Sequence, residues 1–299
     1  MTPESPPLPH AEAVAKDRTG WLAVWCLRAT LLWGVVTVVL PLLMVTAASL
    51  ATRETYGAIR WDLTWANYED IWHPLYGRIF LQSMLMAGAA TVCCLVLGFP
   101  VAYLIARAAP LWQRLGLMLI VIPLWTNFLI RTYAWMVLLR TEGVLNGVLS
   151  ALGVIGEPLP LLYTPGSVLV GLVYGYLPFM VLPIYAALER VPVTLEEAAR
   201  DLYACAWAGL YHVVWPLVRP GVIAGSVLVF LAAVGAYLTP DLLGGAKTMM
   251  VGNLIQHEFL VARDWPLGAA LAMGLMGGAL ALVSLGRLLD RPVEWESEG

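Results

Sequence analysis

The sequence predicts an all-α, polytopic membrane protein with six transmembrane helices, and three observations lead there. Of 299 residues, 60% are hydrophobic and 12% charged, with a mean hydropathy of +0.78. A soluble domain carries about 25% charged residues to cover its surface, so lipid is the natural solvent. Six windows hold the roughly 20 apolar residues that a helix needs to cross about 30 Å of hydrocarbon. They are Trp21 to Ser49, Phe80 to Ala106, Leu115 to Leu139, Gly166 to Leu188, Gly221 to Pro240 and Pro266 to Leu289. Gly171-xxx-Gly175, Gly221-xxx-Gly225 and Gly274-xxx-Gly278 place small residues one turn apart, which lets helix backbones approach and reads as a bundle of this chain's own helices.

Taken in order, residues 1–20 form a Pro-rich, polar tail expected to be disordered. The first window follows Lys16 and Arg18 as a secretory signal would, but its apolar stretch is about twice the 7 to 15 residues of such a signal, so it reads as an anchor. Pro and Gly inside the later windows are tolerable where neighbouring helices satisfy freed backbone groups. With the N-terminus inside, Lys16, Arg18, Arg107, Arg114, Arg190, Arg200, Arg219, Arg287 and Arg291 are cytoplasmic, against Arg53, Arg60, Arg78, Arg140, Lys247 and Arg263 outside. That bias puts both termini in the cytoplasm. Residues 21–289 are then the membrane domain, 189–219 its longest inner excursion and 290–299 a cytoplasmic tail. A net charge of −3 supplies no polycation for phosphates, which argues against a nucleic-acid partner. Cys26, Cys93, Cys94 and Cys205 lack CxxC or His spacing and read as packing residues, with no metal site.

The inner excursion is VPVTLEEAARDLYACAWAGLYHVVWPLVRPG. Thr194 with Glu197 three residues on forms a capping box, which would start a helix at the membrane surface. Glu196, Glu197, Arg200 and Asp201 give that helix a charged side, and Leu195, Ala198, Ala199 and Leu202 a small apolar side. Physics alone allows either docking into a partner or an ordinary interfacial helix.

Glu197-Ala198-Ala199, followed by Trp215-Pro216-Leu217, resembles the EAA loop of membrane subunits of ATP-binding-cassette (ABC) importers. The segments TNFLIRTYAW from Thr126, EGVLN from Glu142, GLVYGYLPFMVLPIY from Gly171, TPDLLGGAKTMMVGNLI from Thr239 and FLVARDWPLGAA from Phe259 are similar to the spermidine/putrescine permease subgroup. The resemblance covers nearly everything from Trp21 to Arg291 and implies the type I importer permease fold. It also implies that Glu196, Glu197, Ala198, Ala199, Asp201 and Tyr203 lie at the contact with a cytoplasmic ATPase dimer. The implied partners are that dimer, a second homologous permease and an extracytoplasmic substrate-binding protein. One position departs from the family: Tyr203 stands where the pattern has Gly, so the turn is made with Tyr203 at positive φ or elsewhere, Gly209 being the available place.

For an organic cation the path would offer carboxylates and aromatic faces. Outside loops carry Glu54, Asp62, Glu69, Asp70, Glu142, Glu157, Asp241, Glu258 and Asp264, an excess of acid over base. Asp241 is the leading carboxylate, with Glu258 and Glu142 behind it. Trp125, Asn127, Tyr133, Trp135, Tyr174, Tyr176 and Tyr237 are the aromatic and amide candidates, with Trp125, Asn127 and Tyr174 ranked first because Tyr133, Trp135 and Tyr237 also fit an interfacial belt. Arg131, sixteen residues into a continuous third helix, would lie about 24 Å across, within snorkelling reach of the outer surface and of an acid there.

No GxxxxGK[ST] loop occurs, so ATP would be held by the partner and this chain needs no cofactor. The alternatives are the same role for another small solute, or a polytopic membrane enzyme. The enzyme reading lacks HExxH and GxSxG, and His10, His73, His212 and His257 are far apart in sequence.

Overall fold

The computed structural model describes residues 9–54, 57–201, 205–245 and 247–289. The chain opens with α1 (Pro9–Ser49), a small antiparallel pair β1 (Thr52–Arg53) and β2 (Ile59–Arg60), and α2 (Ala66–Ile71). Helix α1 therefore begins inside the tail expected to be disordered. Ala11, Glu12, Ala13, Ala15 and Lys16 are good helix formers, and extending an existing helix avoids the cost of nucleation. Residues 1–8 and 290–299 lie outside the described residues.

Next come α3 (Pro74–Ala106), α4 (Pro110–Trp125), α5 (Phe128–Leu139), α6 (Val144–Ala151) and α7 (Pro165–Glu189). After these come α8 (Val193–Asp201) and α9 (Ala206–Gly209). A π-helical turn, Leu210–Val214, leads into α10 (Trp215–Val234), followed by α11 (Leu238–Gly244), α12 (Val251–His257) and α13 (Trp265–Leu289).

Among the described residues five helices are long and apolar enough to cross a membrane, and the bent pair formed by α4 and the segment after it makes a sixth if it is one span. The third window is therefore not the straight helix expected: its two halves meet at 96°. The cause is local. Thr126 takes an extended backbone, its hydroxyl donates to the Pro123 carbonyl at 2.7 Å, and the Asn127 Oδ1 accepts the Leu129 amide at 2.8 Å as the N-cap of a new helix. The fifth span is also displaced: it runs Leu210–Val234, so part of the predicted inner excursion already lies in it, and Pro240 belongs to α11.

Helices α3, α7 and α10 pack together as the core, through Cys94 and Ala102, Met180, Ile184 and Leu188, and Val218, Val222 and Val229. Gly221 lets α10 approach α7 at Pro183 and Ala187, and Gly171 lets α11 approach α7 through Leu243 and Thr239. The third small-residue pair differs from expectation. A Cβ on Gly274 or Gly278 would meet nothing within 4 Å, so neither residue sits at a close helix crossing among the described residues. Helix α1 packs on α13 near its end, where the Thr46 hydroxyl reaches Met273 Sδ at 3.6 Å and Ser49 bonds Tyr68 at 2.8 Å. The rest of α1 exposes Trp25, Leu32 and Trp33, surface that lipid covers in a membrane. Of the four cysteines, Cys94 packs in the core as expected, whereas Cys26 and Cys205 are exposed.

Candidate functional site

Helix α8 starts at Val193, with the Leu195 amide bonded to the Pro192 carbonyl at 3.2 Å. Thr194 thus sits within the first turn rather than capping it. Glu196, Glu197 and Asp201 of the charged side do not act together, and the Arg200 side chain lies outside the described residues. Glu196 is 8% exposed and turns toward the bundle, where its carboxylate accepts the Tyr103 hydroxyl at 2.9 Å, Arg107 Nε at 2.9 Å and a second bond from Arg107 Nη2. Ala199, one turn on, is also buried and lies beside Gly209. Glu197, Ala198 and Asp201 are exposed on the opposite side. Spacing explains the split, since residues three apart share a helix face and adjacent ones do not. Tyr203 lies outside the described residues. Gly209 has φ −60°, an ordinary helical value, so the turn offered to it in the sequence reading is not made there.

At the break between α4 and α5 stands the second cluster. Arg131 Nη1 donates to the Pro123 carbonyl at 2.7 Å, and its guanidinium carbon lies 5.2 Å from the Phe128 ring centroid and 5.8 Å from that of Tyr174. The expectation of an outer acid as partner is corrected: the partners are a helix-end carbonyl and two aromatic faces. The bend leaves the last carbonyls of α4 without a following turn, and that of Pro123 accepts both the Thr126 hydroxyl and the planar Arg131 cation. Tyr174 further stacks edge-on with Trp135, centroids 5.4 Å apart.

Of the predicted pathway residues, Asn127 is spent partly on capping and Trp125 is 84% exposed. Tyr174 is half-exposed within the Arg131 cluster. Tyr237 and Asp241 lie on or beside α11, which packs against both α5 and α7, so these elements adjoin; Asp241 is exposed. Glu258 stands apart, following α12, with its side chain 12% exposed and His257 Nδ1 at 3.8 Å. Burial pushes its carboxyl up from the ordinary range, His257 opposes that, and Asp264 adds to it. Two other acids of the outer excess are already paired, Asp62 with Arg60 at 2.6 Å and Asp264 with Arg53 at 3.4 Å.

Sequence reasoning missed Arg107 and Tyr103 as partners of Glu196, and Asn146 as an organiser. Asn146, the last residue of EGVLN, is 3% exposed; it donates to the carbonyls of Arg140, Thr141 and Leu159 and accepts the Leu159 amide at 3.1 Å. The sequence shows only an amide in an apolar short helix, and the contacts alone show that it is buried and bonded at both ends.

A core of three apolar spans, more spans around it, and a short polar helix held against the ends of α3 and α7 define a polytopic membrane protein. The chain belongs to the family of binding-protein-dependent transport system inner membrane components, whose sequence model matches residues 94–294. It is 41% identical to the spermidine/putrescine transport system permease protein PotB of Haemophilus influenzae, over 88% of this chain and 94% of that one. It is 43% identical to the PotB protein of Escherichia coli, over 88% and 98%. The fold matches that of a bacterial ABC transporter involved in the import of the acidic polysaccharide alginate, with a TM-score of 0.76 at 14% identity, covering 94% of this chain and 99% of that one. The chain is therefore a multi-pass inner-membrane permease of an ABC importer that works with a binding protein and an ATPase.

Proposed function

We propose that this permease carries polyamines of the spermidine/putrescine kind, paired with a second and similar permease. The observation that carries the reading is 41% and 43% identity, over nearly the full length of both partners, to permeases named for that substrate. The exposed aromatic face of Trp125 beside the broken span supports it, since ammonium groups are attracted to such faces. Trp125, Asn127, Tyr174, Tyr237 and Asp241 are the proposed path, with Glu258 on the outer side. Glu197, Ala198 and Asp201 form the proposed contact with a cytoplasmic ATPase dimer, with both termini in the cytoplasm. ATP binding and the loaded binding protein then switch the paired bundles between outward and inward openings as rigid bodies.

Uptake by the complete complex, in competition with putrescine, spermidine, other amines and amino acids, tests the substrate. Polyamines alone should compete. If none does, the polyamine assignment is lost while the permease role stands.

A further inference from the structure

Helix α8 rests on the segment leading into α10, where Ala199 meets Gly209, and a second tie crosses to a different span. Arg107 caps α3, its amide bonded back to the Tyr103 carbonyl at 3.1 Å, so the two donors that hold Glu196 leave one rigid element a turn apart. The pair is largely withdrawn from water, with side-chain exposures of 16% for Arg107 and 10% for Glu196. Arg107 Nη1 also reaches the Leu188 carbonyl in the last turn of α7 at 3.5 Å. A guanidinium fork on one carboxylate oxygen and a phenol on the other fix the angle between helix and span, which a single point contact would not. Opening the joint would leave a charge unpaired in a dry setting, so a tilt of the inner end of α3 carries α8 along instead of sliding past it.

We propose that Arg107 and Tyr103 are positioning residues for energy coupling: through Glu196 they make α8 move with α3 as one body, so that closure of the ATPase is felt by a core span directly. This rests on the reading of α8 as the ATPase contact. The role is separable from docking, because Glu196 faces inward while Glu197 faces out.

The test uses the complete complex in proteoliposomes, reading ATPase co-purification and solute taken up per ATP hydrolysed. Arg107→Met and Glu196→Ala should keep the ATPase bound and lower the uptake-to-hydrolysis ratio at least tenfold. The exchange Arg107→Glu with Glu196→Arg should restore at least a third of the ratio. If the single variants do not assemble, Arg107→Lys replaces them: it keeps the charge but loses the fork, and a ratio reduced severalfold is expected. Wild-type ratios in the singles or in Arg107→Lys, or an exchange variant no better than the singles, overturn the joint. Glu197→Lys is the separate control for docking and should lose ATPase co-purification. If it retains both ATPase and uptake, the docking reading fails; if it fails while the Arg107 and Glu196 variants stay coupled, the joint alone is wrong.

Discussion

A Cβ placed on Gly221 of α10 would lie 2.7 Å from the carbonyl oxygen of Pro183 on α7. It would also lie 2.6 Å from the Ala187 Cβ, so the crossing of the two central spans is a backbone contact that glycine alone permits. Gly221→Ala should force the helices apart at a cost of about 1 to 3 kcal/mol, the usual range for overpacking. Thermal unfolding of the purified protein should show a lower Tm. Gly274→Ala, with open space at its Cβ inside α13, should be neutral or stabilising by up to about 1 kcal/mol, and an equal loss at the two sites would contradict the described crossing.

Arg131 bridges the Pro123 carbonyl and the faces of Phe128 and Tyr174. Arg131→Met should lose the charged hydrogen bond to a carbonyl that keeps the Thr126 hydroxyl, together with both ring contacts, lowering stability by about 1 to 3 kcal/mol. Arg131→Lys keeps a donor and a cation and should recover part of the loss. Parallel Tm and uptake measurements on both variants would refute the bridge if Met and Lys behaved alike.

Asn146 organises the connection between α5 and α7 through both ends of its amide. Asn146→Ala strips the Leu159 amide of its acceptor and should cost about 1 to 3 kcal/mol. Because the damage is local, cleavage by protease added from outside should speed up between α5 and α7 before the whole bundle unfolds. Unchanged cleavage would show that the loop is held by other means.

Glu258 supplies a pH dependence. Its carboxyl is raised by burial, so the charged form is disfavoured in the folded state relative to the unfolded one. The sign follows: its contribution to stability is full below the ordinary value of 4.5 and is lost as pH rises through the elevated folded value. Glu258→Gln, neutral at every pH, should flatten the fall in Tm across that interval. A wild-type Tm that rises over the same interval, with the variant unchanged, would reverse the assignment.

Hydropathy placed the apolar stretches well because it sums over neighbouring residues. It could not place the ends and breaks that depend on a few hydrogen bonds. The bend after α4 had a local signal, Pro123 followed by Asn127 two residues before Leu129, but an apolar window averages over it. In α8 the order Glu196-Glu197 was visible, yet which of the two turns toward the bundle was not. Both are charged, and only helix phase relative to α3 separates them. The Gly pairs show the same limit: three look alike in sequence, and contacts distinguish the crossings at Gly171 and Gly221 from the open face at Gly274.

From the sequence alone come the solvent of this protein, the apolar windows that cross it and the polar segment between the fourth and fifth. Each is a property of neighbouring residues and needs no knowledge of the rest of the chain. Tertiary structure decided that Arg131 binds a carbonyl and two rings instead of an acid, and that Glu196 is clasped by Arg107, 89 positions away, while Glu197 is left exposed. The physical reason is that a buried charge takes whatever partners the packing of distant helices presents, and that packing is not written in any one segment.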